Sequence, residues 1–191
     1  MRTFIRLAAL VCAIAPVAAF AATDTDSKDV GITGTVAALC VLGEPSTAVV
    51  DLLQMAETSG SRVGRLKTIA TQNVTLPGSF CNFANSAVTV EATALKADDT
   101  NSPPTGFARA INYTATASGW NSAQNAAATT IDDGTGSSTS ATGTGATQPT
   151  PKLSDIVLSL SSFAVPGDSL LVFGDYNTTV TVTLAPAVVA P

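Results

Sequence analysis

From Val30 onward the chain alternates between apolar and polar positions. Val30, Ile32, Gly34, Val36, Ala38 and Cys40 share one parity, and Thr33 and Thr35 hold the other. A period of two is that of a strand with one face buried. Six further runs rich in Val, Thr, Ile and Ala follow, at Ala48–Leu53, Thr68–Leu76, Ala87–Leu95, Ala110–Ala117, Asp155–Leu160 and Thr178–Leu184. The breaks carry turn chemistry: Gly43-Glu44-Pro45, Pro77-Gly78-Ser79, Pro103-Pro104-Thr105-Gly106 and Pro166-Gly167-Asp168. No segment sustains helical spacing, and Met55–Ser61 has room for a single helical turn. Seven short strands punctuated in this way predict an all-β sandwich or barrel.

Ser118 to Pro151 breaks the pattern. Ala, Thr, Gly and Ser dominate it, as in Gly134-Thr135-Gly136-Ser137-Ser138-Thr139. Such a composition offers little apolar surface to bury, so residues 118–151 are expected to form a long, low-complexity, mobile loop between two strands.

The first residues follow another logic. Met1-Arg2-Thr3-Phe4-Ile5-Arg6 precedes an apolar run from Leu7 to Val17, and Ala19-Phe20-Ala21 follows. A basic start, a short apolar run and an Ala-x-Ala site form the pattern of a cleavable export signal. The run is short of the about 20 residues that span a bilayer, so no stable membrane anchor is expected. Val11 before Cys12 does not suit a lipidation site, and Arg2 and Arg6 are too far apart for a twin-arginine signal. The reading is residues 1–21 as signal peptide and 22–191 as one domain, exported to the periplasm, the cell surface or the medium.

Cleavage would remove Cys12, Arg2 and Arg6, leaving two cysteines and moving the net charge from −5 to −7. An even cysteine count suits an oxidising compartment. A Cys40–Cys81 bond would close a loop of about 40 residues, which by chain entropy stabilises by roughly 4 kcal/mol. A reactive or metal-binding thiol pair is the alternative, but neither a Cys-x-x-Cys spacing nor a basic neighbour favours it.

With no basic cluster, nucleic-acid binding is not expected. With no histidine in the chain, His triads and His metal sites are excluded. Asp98-Asp99 and Asp132-Asp133 are adjacent carboxylates in turns. They do not face each other across the about 5–9.5 Å that glycoside hydrolysis needs, and no Asp-x-Asp-x-Asp-Gly calcium loop exists. Asp24 and Asp26 read as solubilising charges. Lys67, Lys96 and Lys152 have no context for a Ser–Lys pair. The expectation is therefore no enzyme and no cofactor. Trp120, the only tryptophan, is either a core-edge aromatic or a platform for a sugar. Asn73, Asn112 and Asn177 each begin an Asn-x-Thr site inside or beside a Thr-rich strand, which explains the pattern without glycans.

The segment Gly31-Ile32-Thr33-Gly34-Thr35-Val36-Ala37-Ala38-Leu39-Cys40-Val41 resembles the opening of chaperone–usher pilins and of spore coat protein U domains. Val49-Val50-Asp51-Leu52-Leu53 looks like the second pilin strand, and Ser79-Phe80-Cys81-Asn82 followed by Ala87–Leu95 is similar to the region of the second cysteine. Gly174-Asp175-Tyr176-Asn177-Thr178-Thr179-Val180-Thr181-Val182-Thr183-Leu184 resembles the last strand of the coat protein U domain.

The resemblance implies an immunoglobulin-like, pilin-type sandwich of about seven strands that lacks its final strand. A chaperone or a neighbouring subunit would supply that strand. Thr178–Leu184 is followed by seven residues, two of them prolines, so no hairpin partner is expected after it. Val180, Val182 and Leu184 would then lie on an acceptor edge. Val30, Ile32, Gly34 and Val36 would be the inward face either of a donated strand or of an ordinary first strand. The function implied is a structural subunit of a surface fibre or coat, serving adhesion or biofilm. Its partners would be a periplasmic chaperone, an outer-membrane usher and like subunits. The alternative is a self-contained secreted or periplasmic module that binds a glycan or host surface through residues 118–151.

Overall fold

A computed structural model describes residues 26–187. The signal peptide read at 1–21, and Asp24, lie outside the described residues. Two units are distinguished, ending and beginning at Val36 and Ala37. Residues 26–36 contain no helix or strand.

Among its described residues the second unit carries twelve strands: β1 (Cys40–Val41), β2 (Gln72–Cys81), β3 (Ser86–Ala92), β4 (Leu95–Ala97), β5 (Phe107–Ala108), β6 (Ala110–Ser118), β7 (Ala126–Thr129), β8 (Ala141–Thr144), β9 (Lys152–Ala164), β10 (Leu170–Leu171), β11 (Tyr176–Asn177) and β12 (Val180–Pro186). Two 3-10 turns, Gly60–Arg62 and Pro166–Asp168, complete the regular structure. Among the described residues no helix is long and apolar enough to cross a membrane.

The larger sheet runs β1-β2-β9-β6-β4-β11, with β7 also paired to β6. The smaller sheet runs β12-β3-β8, and β5 and β10 form a short parallel pair. Every ladder of the two main sheets is antiparallel. The inner faces meet in one apolar core, to which the large sheet gives Val74, Leu76, Ile111, Tyr113, Ala115, Ile156 and Leu158. The small sheet adds Val88, Val90, Ala92 and Leu184. The fold is thus an all-β sandwich, as the alternation predicts.

Two expectations fail for identifiable reasons. Pro77-Gly78 does not end its strand. Both residues sit inside β2, where the register against β9 shifts between Leu76 and Ser79. A bulge accommodates both the missing proline N–H and the positive φ of Gly78 (63°). The Gly78 N–H is instead taken by Asp155 Oδ1 at 2.8 Å.

Residues 118–151 are not one long loop. They contain β7 and β8, and Ala126 and Ala128 are buried core residues. Alanine is weakly apolar, yet here it is the size that fits. β8 passes so close to β7 that a Cβ on Gly143 would lie 1.8 Å from the Ala127 carbonyl oxygen. Low bulk in this segment serves close packing.

Candidate functional site

The Cys40–Cys81 disulfide joins β1 to β2 at directly opposed positions. The strand expected from Val30 to Cys40 becomes ladder only at Cys40–Val41. Asn82 prolongs the contact by side chain: its Oδ1 accepts Leu39 N–H at 2.8 Å, and its Nδ2 donates to Ala37 O at 2.8 Å. Beyond β1 the chain follows β2 closely. A Cβ on Gly43 would lie 1.7 Å from the Pro77 carbonyl oxygen, Gly43 N–H donates to Ser79 Oγ at 3.0 Å, and Ser46 N–H donates to Thr75 O at 2.8 Å.

Past Ser46 these hydrogen bonds to β2 stop, and the strand read at Ala48–Leu53 is absent. Its alternation nevertheless survives as a packing pattern. Val50 and Leu52 pack on the core, while Val49 and Leu53 are each 77% exposed. The backbone is steadied locally, with Leu53 N–H donating to Asp51 Oδ1 at 2.8 Å.

β12 pairs with β3 from Val180↔Ala92 to Pro186↔Ser86. It is the end strand of its sheet, and among the described residues its other edge has no ladder partner. Leu184 is buried, whereas Val180 and Val182 are only half-covered by the core. β1, in the other sheet, comes near β12 without forming a ladder with it. An edge strand with apolar, partly uncovered inward positions is a template for pairing with another extended chain. In the other unit, Val30, Ile32 and Val36 are 83%, 94% and 89% exposed, and a Cβ on Gly34 would meet nothing within 4 Å.

The polar candidates have structural duties. Asp132 is buried, and its carboxylate accepts the backbone N–H groups of Gly134 (2.8 Å), Gly136 (2.9 Å) and Ser138 (2.8 Å). Burial alone would raise its pKa, but those donors outweigh it and hold the carboxyl below its ordinary range. Asp133 Oδ1 accepts from Thr135, and Asp99 Oδ1 accepts Asn101 N–H. Asn112 Oδ1 accepts Asp132 N–H and its Nδ2 donates to Asp132 O. Asn73 accepts from Ser159 Oγ, and Asn177 lies in β11.

Trp120 is only 3% exposed, so it is a core residue and offers no sugar platform. Lys96 Nζ donates to Ser138 O at 3.0 Å. Lys152 Nζ donates to Gly119 O at 2.8 Å and to Trp120 O, 5.8 Å from the centre of the indole. Among the described residues no three of His, Cys, Asp and Glu cluster as a metal could use. Sequence reasoning missed the role of Asp132. Its signal was an Asp two residues before a glycine, the pattern of an Asx turn.

Compared with protein-family models, with curated proteins and with solved structures, the chain finds no match.

Proposed function

We propose that this protein is a structural subunit of an exported fibre or coat, built by adding an extended segment of one copy to the free edge of β12 in the next. The observation that carries the reading is that edge: Val180 and Val182 half-covered, Leu184 buried, and no ladder partner on one side among the described residues. A disulfide belongs to an oxidising compartment, which agrees with export.

The segment to be added is the alternating stretch around Val30, Ile32, Gly34 and Val36. Its apolar side chains are exposed, and its period of two would place all four on one face of an added strand. Strand addition takes affinity from main-chain hydrogen bonds and selectivity from alternate side chains entering the core. An immunoglobulin-like sandwich short of its last strand, held by a periplasmic chaperone and delivered by an outer-membrane usher, is the assembly this reading describes. Its supports are the resemblance of Gly31–Val41 and Gly174–Leu184 to pilin and coat protein U segments, and the edge itself.

The test is uptake of a peptide spanning residues 28–39 by the purified protein. Saturable binding, a raised melting temperature and loss of both in Val182→Lys are the expected results. A monomer that ignores the peptide and is unchanged by Val182→Lys would overturn the reading.

A further inference from the structure

At one end of the sandwich the β6–β7 and β8–β9 connections converge on a cleft of about 460 Å³, lined by Asn121, Ser122, Asn125, Gln148, Pro149 and Lys152. That is within the about 300–1,000 Å³ of small-ligand sites. Its frame is fixed. Asn121 Nδ2 donates to Thr147 O at 2.7 Å and its Oδ1 accepts Ala123 N–H at 2.8 Å. The Gln148 backbone is pinned to Ser86 and Asn85, and Gln124 O accepts Ala146 N–H at 3.0 Å, tying the two connections together.

Within that frame, polar groups face solvent without a full set of protein partners. Among the described residues the side chains of Asn125 and Ser122 make no hydrogen bond, and Gln148 Nε2 reaches only its neighbour Thr150 Oγ1. Lys152 is held by two carbonyl oxygens, Gly119 O and Trp120 O. No carboxylate of the described residues pairs with it. An ammonium carries three N–H donors, so one remains for an incoming acceptor.

We infer that this cleft is a binding site for an acidic saccharide, with one sugar carboxylate on Lys152 and ring hydroxyls on Asn125, Ser122 and Gln148. Amide side chains donate and accept within one planar group, which matches vicinal hydroxyls that also do both. A single cation suits a single carboxylate. The cleft offers no second positive group for a polyphosphate, and its only ring is Pro149, which provides no stacking surface for a nucleobase. The site is independent of the β12 edge and stands or falls apart from it.

Trigalacturonic acid is the probe, titrated into the full exported chain by calorimetry, with its carboxyl-reduced neutral counterpart as control. The acidic trimer is expected to bind at least tenfold more tightly than the neutral one. Asn125→Ala, at an exposed position, should weaken binding at least fivefold with the melting temperature unchanged. Lys152→Gln keeps a donor toward the two carbonyls and should erase the preference for the acidic trimer. Equal affinity for both trimers, no binding of either, or binding indifferent to Asn125→Ala would each overturn the assignment.

Discussion

Residues 130–138 and residues 48–53 invert one another. The first stretch, Thr-Ile-Asp-Asp-Gly-Thr-Gly-Ser-Ser, has no strand-like pattern, yet its backbone is wound around the Asp132 carboxylate by three N–H donors. It is tied to the sandwich through Asn112 and Lys96. The second stretch, Ala-Val-Val-Asp-Leu-Leu, reads as a strand but forms no ladder. What survives there is sidedness, with Val50 and Leu52 on the core and Val49 and Leu53 toward solvent. Alternation along a sequence records which face a segment buries. Whether the backbone is ordered depends on a partner for its N–H and C=O groups. A neighbouring strand can be that partner, and so can one buried carboxylate.

The contrast is broken most forcibly at the disulfide, because the 48–53 stretch descends from β1, a strand of two residues pinned by Cys40–Cys81. Replacing both cysteines with alanine should cost roughly 4 kcal/mol, the loop-closure value for about 40 residues. Denaturant unfolding measures that loss. Amide exchange should then rise at Gly43 and Ser46, whose N–H groups are held by β2, while 130–138 stays protected. Equal loosening of both stretches would mean that they share one support.

These two stretches also show what the sequence could and could not tell. The strands at Ala87–Leu95, Ala110–Ala117 and Thr178–Leu184 were legible because each has a burial face and a partner, and β3, β6 and β12 cover nearly the same residues. The pairing of Cys40 with Cys81 was legible from the two cysteines that remain once residues 1–21 are read as a signal. β7 and β8 were not, since an alanine or glycine carries almost no hydrophobic signal and acquires meaning only when Ala127 and Gly143 come into contact. The Asp132 cage was invisible to periodicity for the same reason: its contacts are side chain to backbone within six residues. At β12, the alternation of Val180, Val182 and Leu184 was legible, while their unequal cover, the first two half-covered and the third buried, was not. The cleft at Asn125 and Lys152 was not, because its walls come from connections that the sequence keeps apart.

The next largest effect belongs to Asp132. Asp132→Asn keeps the shape but removes the charge that three N–H donors share, and should cost about 2–3 kcal/mol. Asp133→Asn, on an exposed side chain that only caps Thr135, should leave the unfolding midpoint close to that of the parent. The pH dependence follows in sign. The Asp132 carboxyl is held below its ordinary range in the folded protein, so the stability it contributes is present above the unfolded value of about 3.9. That stability is lost as pH falls through the lower folded value. Asp168, lowered by its hydrogen bond to Arg62, follows the same direction. The difference between the acid limbs of the parent and Asp132→Asn therefore isolates the cage. If the two limbs run parallel, the charge does not order 130–138.

The smallest effect is the most discriminating for 48–53. If that stretch keeps a buried face without a ladder, adjacent valines must respond differently to the same isosteric change. Val50→Thr places a hydroxyl against the core and should cost about 1 kcal/mol, the low end for a polar group that loses water without gaining a partner. At Val49, 77% exposed, the hydroxyl stays hydrated, so Val49→Thr should fall within about 0.5 kcal/mol of the parent. Chemical denaturation of the two variants side by side gives the comparison. The substitution is the same at both positions, so the difference reports the burial of the added hydroxyl. A gap near 1 kcal/mol would establish sidedness without pairing. Equal costs would mean that the stretch lies on the core with neither face preferred, and that alternation there carries no structural information.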